Sequence, residues 1–186
     1  MFAWRVQTSK SKSERLKMDL QLKPISRDGI PKAISKAELY RNLNEPGEAE
    51  SICRDILATD PENQAALRLL GLSITDQFTG NPTDRRSEAE SIFQSLSDEY
   101  NRLYYAGIVN ERQAKAQLAA GRSPYMVAPL FERALDYFAK AESIKPHGND
   151  DAILRWNRCV RILQSRLGTD WQKLLDPIDA GDSPPI

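Results

Sequence analysis

At 186 residues, with 40% hydrophobic and 28% charged side chains, the chain can form one domain with its own core or a short repeat array. Its 26 basic and 26 acidic residues leave no formal net charge, which argues against wholesale binding to nucleic acid or an anionic membrane surface. No apolar run approaches the roughly 18 residues that cross a bilayer, and the first residues, MFAWRVQTSKSKSERLK, lack the apolar stretch of a secretory signal.

Residues 1–29 read as a flexible basic arm, with seven Lys or Arg against three Asp or Glu and a short helix at most near Ser11–Leu20. Ala33–Leu43 shows three- and four-residue apolar spacing and predicts a helix. Pro46 opens the next, Gly47–Thr59. Asp60-Pro61 ends it, because proline bars the preceding residue from helical geometry. Pro61 then starts Glu62–Gln77, with Asp60 as the expected N-cap. FTGNPTD over 78–84 is a loop. Asp84–Ser97 and Asp98–Ala120 are the fourth and fifth helices, and GRSP at 121–124 breaks the chain. Tyr125–Ile144, the turn KPHGN at 145–149, and Asp150–Leu167 complete the reading. No segment alternates with the period of a half-buried strand, so the fold class is all-α over 30–167. Residues 168–186 form an acidic tail: Asp170, Asp176, Asp179 and Asp182 stand against Lys173, and Pro184-Pro185 disfavours regular structure. Arm and tail have opposite signs and attract each other loosely. Cys53 and Cys159, the only cysteines, sit among apolar neighbours and read as small buried hydrophobes in a reducing, cytoplasmic setting.

EAESICRDIL, from Glu48 to Leu57, recurs forty residues later as EAESIFQSLS, from Glu88 to Ser97. The same spacing of small, large and helix-opening residues runs through Ala49, Cys53, Ile56 and Pro61 and through Ala134, Phe138, Ala141 and Pro146; Ala89, Phe93 and Leu96 give a middle copy that lacks the closing proline. A further AESI at Ala141–Ile144 lies out of this frame. Preceding helices carry Ala33, Lys36, Ala37 and Tyr40, then Leu67, Leu70, Gly71 and Ile74, then Leu103, Ala106, Gly107 and Asn110; Lys36 is a poor core residue. In these positions the chain resembles the tetratricopeptide-repeat family over about residues 30–167.

The resemblance implies a short right-handed solenoid of three helix pairs with a C-terminal capping helix. It also implies a concave wall lined by the first helix of each pair. That wall carries Ile34, Glu38, Arg41 and Asn42, then Arg68, Leu72, Thr75 and Asp76, then Tyr104, Ile108, Glu111 and Arg112. The expected binding residues are Arg41, Asn42, Arg68, Thr75, Asp76, Tyr104, Ile108 and Arg112, whose arginines can fork onto carboxylates. Ile34 and Glu38 occupy sites where some relatives hold a C-terminal carboxylate, and Glu38 would repel one. The distance from the small first-helix residue to the second-helix alanine grows from 12 to 18 to 27 residues across the copies. An enlarged loop at 78–84 explains the second value; longer helices, a loop at 121–124, or both explain the third.

Chemistry finds little footing. His147, the single histidine, lies in a turn without convergent partners. Asp150-Asp151 suits a helix start. Gly107 and Gly121 belong to no phosphate loop. Of Tyr104 and Tyr105, one faces the core and the other the wall, and Tyr100 with Tyr104 can equally form an intrahelical pair. The last helix puts Ile153, Trp156, Val160, Leu163 and Leu167 on one face and four arginines on the other, a solubilising cap in preference to an RNA-binding strip. The expected function is a protein–protein interaction module, an adaptor or assembly factor taking a peptide or helix, with no cofactor, metal or catalysis. A regulatory subunit of a larger enzyme system, and nucleic-acid binding through the last helix and the arm, are the alternatives. Self-association through Trp4, Trp171 or an uncovered end pair stays open.

Overall fold

A computed structural model describes residues 21–81 and 84–167. The expected helix near Ser11–Leu20, both Trp4 and Trp171, and the 168–186 tail lie outside the described residues. Seven helices form the described chain, with no strand among the described residues: α1 (Ile30–Asn42), α2 (Pro46–Thr59), α3 (Gln64–Asp76), α4 (Arg86–Gln94), α5 (Glu99–Ala119), α6 (Pro124–Ser143) and α7 (Asp151–Leu167). None of these helices is long and apolar enough to cross a membrane.

Local chemistry sets the helix ends. Proline occupies the first turn of α1, α2 and α6, where its missing N–H costs nothing. The N-cap of α3 is Asn63, whose side-chain oxygen accepts from the Ala66 N–H at 3.0 Å, and not Asp60 as expected. Asp60 instead accepts from the Asn63 amide at 2.9 Å, so Pro61 and Glu62 form a turn before the helix. Asp98 caps α5 by accepting from Asn101 N–H at 2.7 Å. Ser26 caps a single 3-10 turn, Arg27–Gly29. Ile25 packs with Ile30, Ile56 and Ala66, and its carbonyl accepts from Thr59 Oγ1 at 3.3 Å.

Each helix packs against the next in sequence, and α3 also touches both α1 and α5. Ala49, Ala89 and Ala134 are each fully buried, as are Cys53, Phe93 and Phe138 to within 1%. Two crossings repeat in detail. A Cβ on Gly71 of α3 would lie 2.5 Å from the Phe93 ring of α4, and a Cβ on Gly107 of α5 would lie 2.5 Å from the Phe138 ring of α6. Only a residue without a side chain lets a phenyl ring lie this close to the helix backbone. At the corresponding sequence positions in α1 and α2 stand Ala37 and Cys53, both fully buried in the same core cluster. Tyr105 of α5 adds to the first of these crossings by stacking on Phe93, with ring centroids 4.7 Å apart.

The growing spacing is resolved into two devices. Between Gly107 and Ala134 the extra residues lengthen helices: α5 has 21 residues and α6 has 20, against 13 in α3 and 9 in α4, while their connection stays short. Pro129 sits inside α6, in its second turn, where it forfeits one intrahelical hydrogen bond. Between Gly71 and Ala89 the extra residues form the loop, and this loop leans on the added length of α5. Gly80 takes φ +83°, and a Cβ there would lie 2.8 Å from the Ala116 carbonyl oxygen. On α7 the buried line runs through Ala152, Cys159 and Leu163; Ile153, Trp156 and Val160 are only half-buried. The expected apolar face is therefore rotated, and the Leu167 side chain lies outside the described residues.

Candidate functional site

The odd-numbered helices share one face, and charged side chains join them across it. Asp76, at the C-terminal end of α3, accepts from Arg41 of α1 at 2.8 Å and pairs with Arg112 of α5. Arg112 also donates to the Leu72 carbonyl at 2.9 Å and to Thr75 Oγ1, so it adds a second donor to a carbonyl near the end of α3. Burial pulls the Arg112 guanidinium below its ordinary value, while the Asp76 carboxylate pulls the other way. One carboxylate thus ties α1, α3 and α5.

This rearranges the roles expected of the wall. Arg41, Thr75, Asp76 and Arg112 come together, but mainly to satisfy each other. Thr75 is buried at 3% exposure and Ile108 at 1%, so Ile108 offers no surface to a partner. It packs in the core because the long α5 is covered on more than one side. Asn42 is exposed on α1. Arg68 of α3 is exposed, with only a 4.0 Å approach to Glu38. Its guanidinium also acts on the Tyr105 hydroxyl, where burial raises the phenol's pKa and Arg68 opposes the rise. Tyr104 is half-buried and stacks on Tyr100 at 5.9 Å, so the intrahelical pair and the wall position are the same residue. Tyr105, its neighbour, faces the core.

Glu111 was one of the expected wall residues and is fully buried. Its Oε1 approaches Lys115 and Arg155 of α7 at 3.5 Å each, and its Oε2 has no hydrogen-bond partner among the described residues. The line of linked charges therefore runs from α1 through α3 and α5 to α7. His147 is exposed in the turn between α6 and α7.

A second charged cluster escaped the sequence reading. Glu50 of α2 is 9% exposed and accepts from Arg85 at 2.8 and 2.9 Å, from Arg54 at 2.7 Å and from Gln77 at 2.8 Å. Glu88 holds the same two arginines from the other side. Hydrogen bonding from Arg85 is the main force that lowers the Glu50 pKa to about 2; Arg54 and Gln77 add to it against the cost of burial. The two EAESI copies are thereby cross-linked, Glu50 of the first to Glu88 of the second. The loop beyond α3 has its own anchor. Asp84 accepts from the N–H groups of Thr79 at 3.1 Å and Gly80 at 2.8 Å. Burial opposes its ionisation, yet these bonds hold its carboxyl below the usual range.

Neither known protein families, nor curated proteins, nor solved structures give a match to this chain.

Proposed function

We propose that the chain is a protein–protein interaction module of the tetratricopeptide-repeat type: three stacked helix pairs in a right-handed solenoid, capped by α7. Its odd-helix face receives an extended or helical segment of a partner protein. The observation that carries this reading is the Asp76 junction, which draws three alternate helices into one continuous surface instead of three separate ones. The repeated Gly71–Phe93 and Gly107–Phe138 crossings support the repeat architecture.

With Arg41 and Arg112 committed to Asp76, the groups left for a ligand on this face are Asn42, Arg68, the edge of Tyr104 and the exposed Glu38, whose carboxylate lies 4.0 Å from Arg68 and must be displaced from it by a competing acid. A cation that can fork, an amide and an aromatic edge suit an acidic segment with an apolar residue. Fluorescence anisotropy against a set of labelled acidic and basic peptides tests the reading. Saturable binding of acidic peptides, weakened at least about tenfold by Arg68→Glu with helicity unchanged, is the expected result. Equal, unsaturable binding of both peptide classes, or indifference to Arg68→Glu, would remove it.

A further inference from the structure

The last helix adds something the Asp76 junction does not explain. Between the C-terminal ends of α5 and α7 lies a groove of about 300 Å³, lined among others by Lys115, Leu118, Arg158, Ile162 and Arg166. Leu118 and Ile162 are half-buried and supply an apolar floor; the three cations are exposed. Lys115 is partly neutralised by Glu111 at 3.5 Å. Among the described residues no carboxylate pairs with Arg158 or Arg166, whereas Arg155, one turn earlier on α7, is held by Glu111. An apolar floor between such cations asks for a segment that mixes carboxylates with large apolar side chains.

We propose that residues 168–186 of the same chain occupy this groove. Their sequence, GTDWQKLLDPIDAGDSPPI, sets four aspartates against one lysine and interleaves them with Trp171, Leu174, Leu175 and Ile178. The charge is opposite to that of the groove, and the apolar residues match its floor. The basic segment 1–20 has the wrong sign for this place. Reach is ample. From Arg158 to Arg166 the groove runs ~12 Å along the helix axis, and nine extended residues from Gly168 to Asp176 cover ~30 Å. The tether is also short: Gly168 follows Arg166 by two positions, so the segment meets the groove at a millimolar-scale effective concentration. Because α5 and α7 continue the odd-helix face, the docked segment shields its basic end and competes with any acidic partner that reaches it. This intramolecular contact does not depend on the partner reading above.

Hydrogen–deuterium exchange on the full chain tests it. In the wild type, amides of residues 170–178 exchange at least about tenfold slower than free-chain rates. That protection is lost in Lys115→Glu/Arg158→Glu, in Trp171→Ala/Leu174→Ala, and in about 1 M salt. The second variant changes no residue of the helical domain, so it decides the matter if the first fails to fold. Free-chain exchange over 170–178 in the wild type, or protection that survives both variants, overturns the proposal. Protection that grows with protein concentration also overturns it, because the contact would then lie between two copies.

Discussion

Phe93 of α4 lies so close over Gly71 of α3 that a Cβ at position 71 would stand 2.5 Å from its ring carbons. Phe138 of α6 has the same relation to Gly107 of α5. Gly71→Ala and Gly107→Ala therefore overpack a buried crossing and each costs about 1–3 kcal/mol of unfolding free energy. Gly47 is the control. It lies in the first turn of α2, and a methyl group there would meet nothing within 4 Å, so Gly47→Ala is neutral or stabilises by up to about 1 kcal/mol. Urea unfolding distinguishes these signs. The pair term follows from adding Phe93→Leu: if the clash is with the ring, the double variant loses less than the two single losses combined. Additive losses would place the strain elsewhere.

Much of this is legible in the residues themselves. The second helices announce themselves through Ala49, Ala89 and Ala134 because a close crossing tolerates few side chains. The same steric demand selects Gly71 and Gly107. Helix existence follows from apolar periodicity, and the ends follow where proline fixes them. The N-cap of α3 is missed because Asp60 and Asn63 are equally able to cap, and only packing chooses between them. The site is less legible for a different reason. Periodicity assigns a residue to a face but not to a partner. It sets Arg41, Asp76 and Arg112 on one face, yet cannot say that they meet. Glu50 and Glu111 are invisible as buried groups because a glutamate on a helix reads as solvated; a cation four residues away, Arg54 or Lys115, is the one signal present.

Asp76 is shared between Arg41 and Arg112, so its removal leaves two cations without their carboxylate. Arg112 keeps Leu72 and Thr75 as acceptors and retains some solvent exposure, which limits the damage. Asp76→Ala is expected to cost about 1–3 kcal/mol, below the loss for a fully buried pair. Arg41→Ala leaves Asp76 paired with Arg112 and costs less, about 1 kcal/mol. Chemical denaturation of both variants checks the order. An Arg41→Ala loss equal to that of Asp76→Ala would mean that Arg112 gains nothing from the junction.

The Glu50 cluster makes stability depend on acid. The folded-state pKa is depressed from 4.5 to about 2, so the unfolded chain takes up the proton first as pH falls. The contribution is complete above about pH 4.5 and disappears progressively toward pH 2. The shift corresponds to at most about 3 kcal/mol, reduced toward 1–2 because Arg54 and Arg85 are half-exposed and screened. Thermal melts across that window should fall more steeply for the wild type than for Glu50→Gln. Parallel slopes would show that other carboxylates carry the acid response.

Cys53 in α2 and Cys159 in α7 sit near opposite ends of the helix order, and both are fully buried and unpaired. Burial pushes each thiol up from 9.0 to about 12. A thiol reagent needs both access and the thiolate, and at pH 8 the native state offers neither. The folded chain should therefore react with a disulfide reagent only through opening, and should release two equivalents promptly once denatured. If neighbouring helix pairs stabilise one another as a linear array does, opening starts at an end, and the two thiols then react at different rates, each slower than the free thiol. The same burial fixes an alkaline trend. Because the folded pKa is raised, the stability it reflects is intact below about pH 9 and declines as the pH climbs toward 12 and the unfolded thiols ionise first. Prompt reaction of either thiol in the native protein at pH 8 would contradict the packing of its helix.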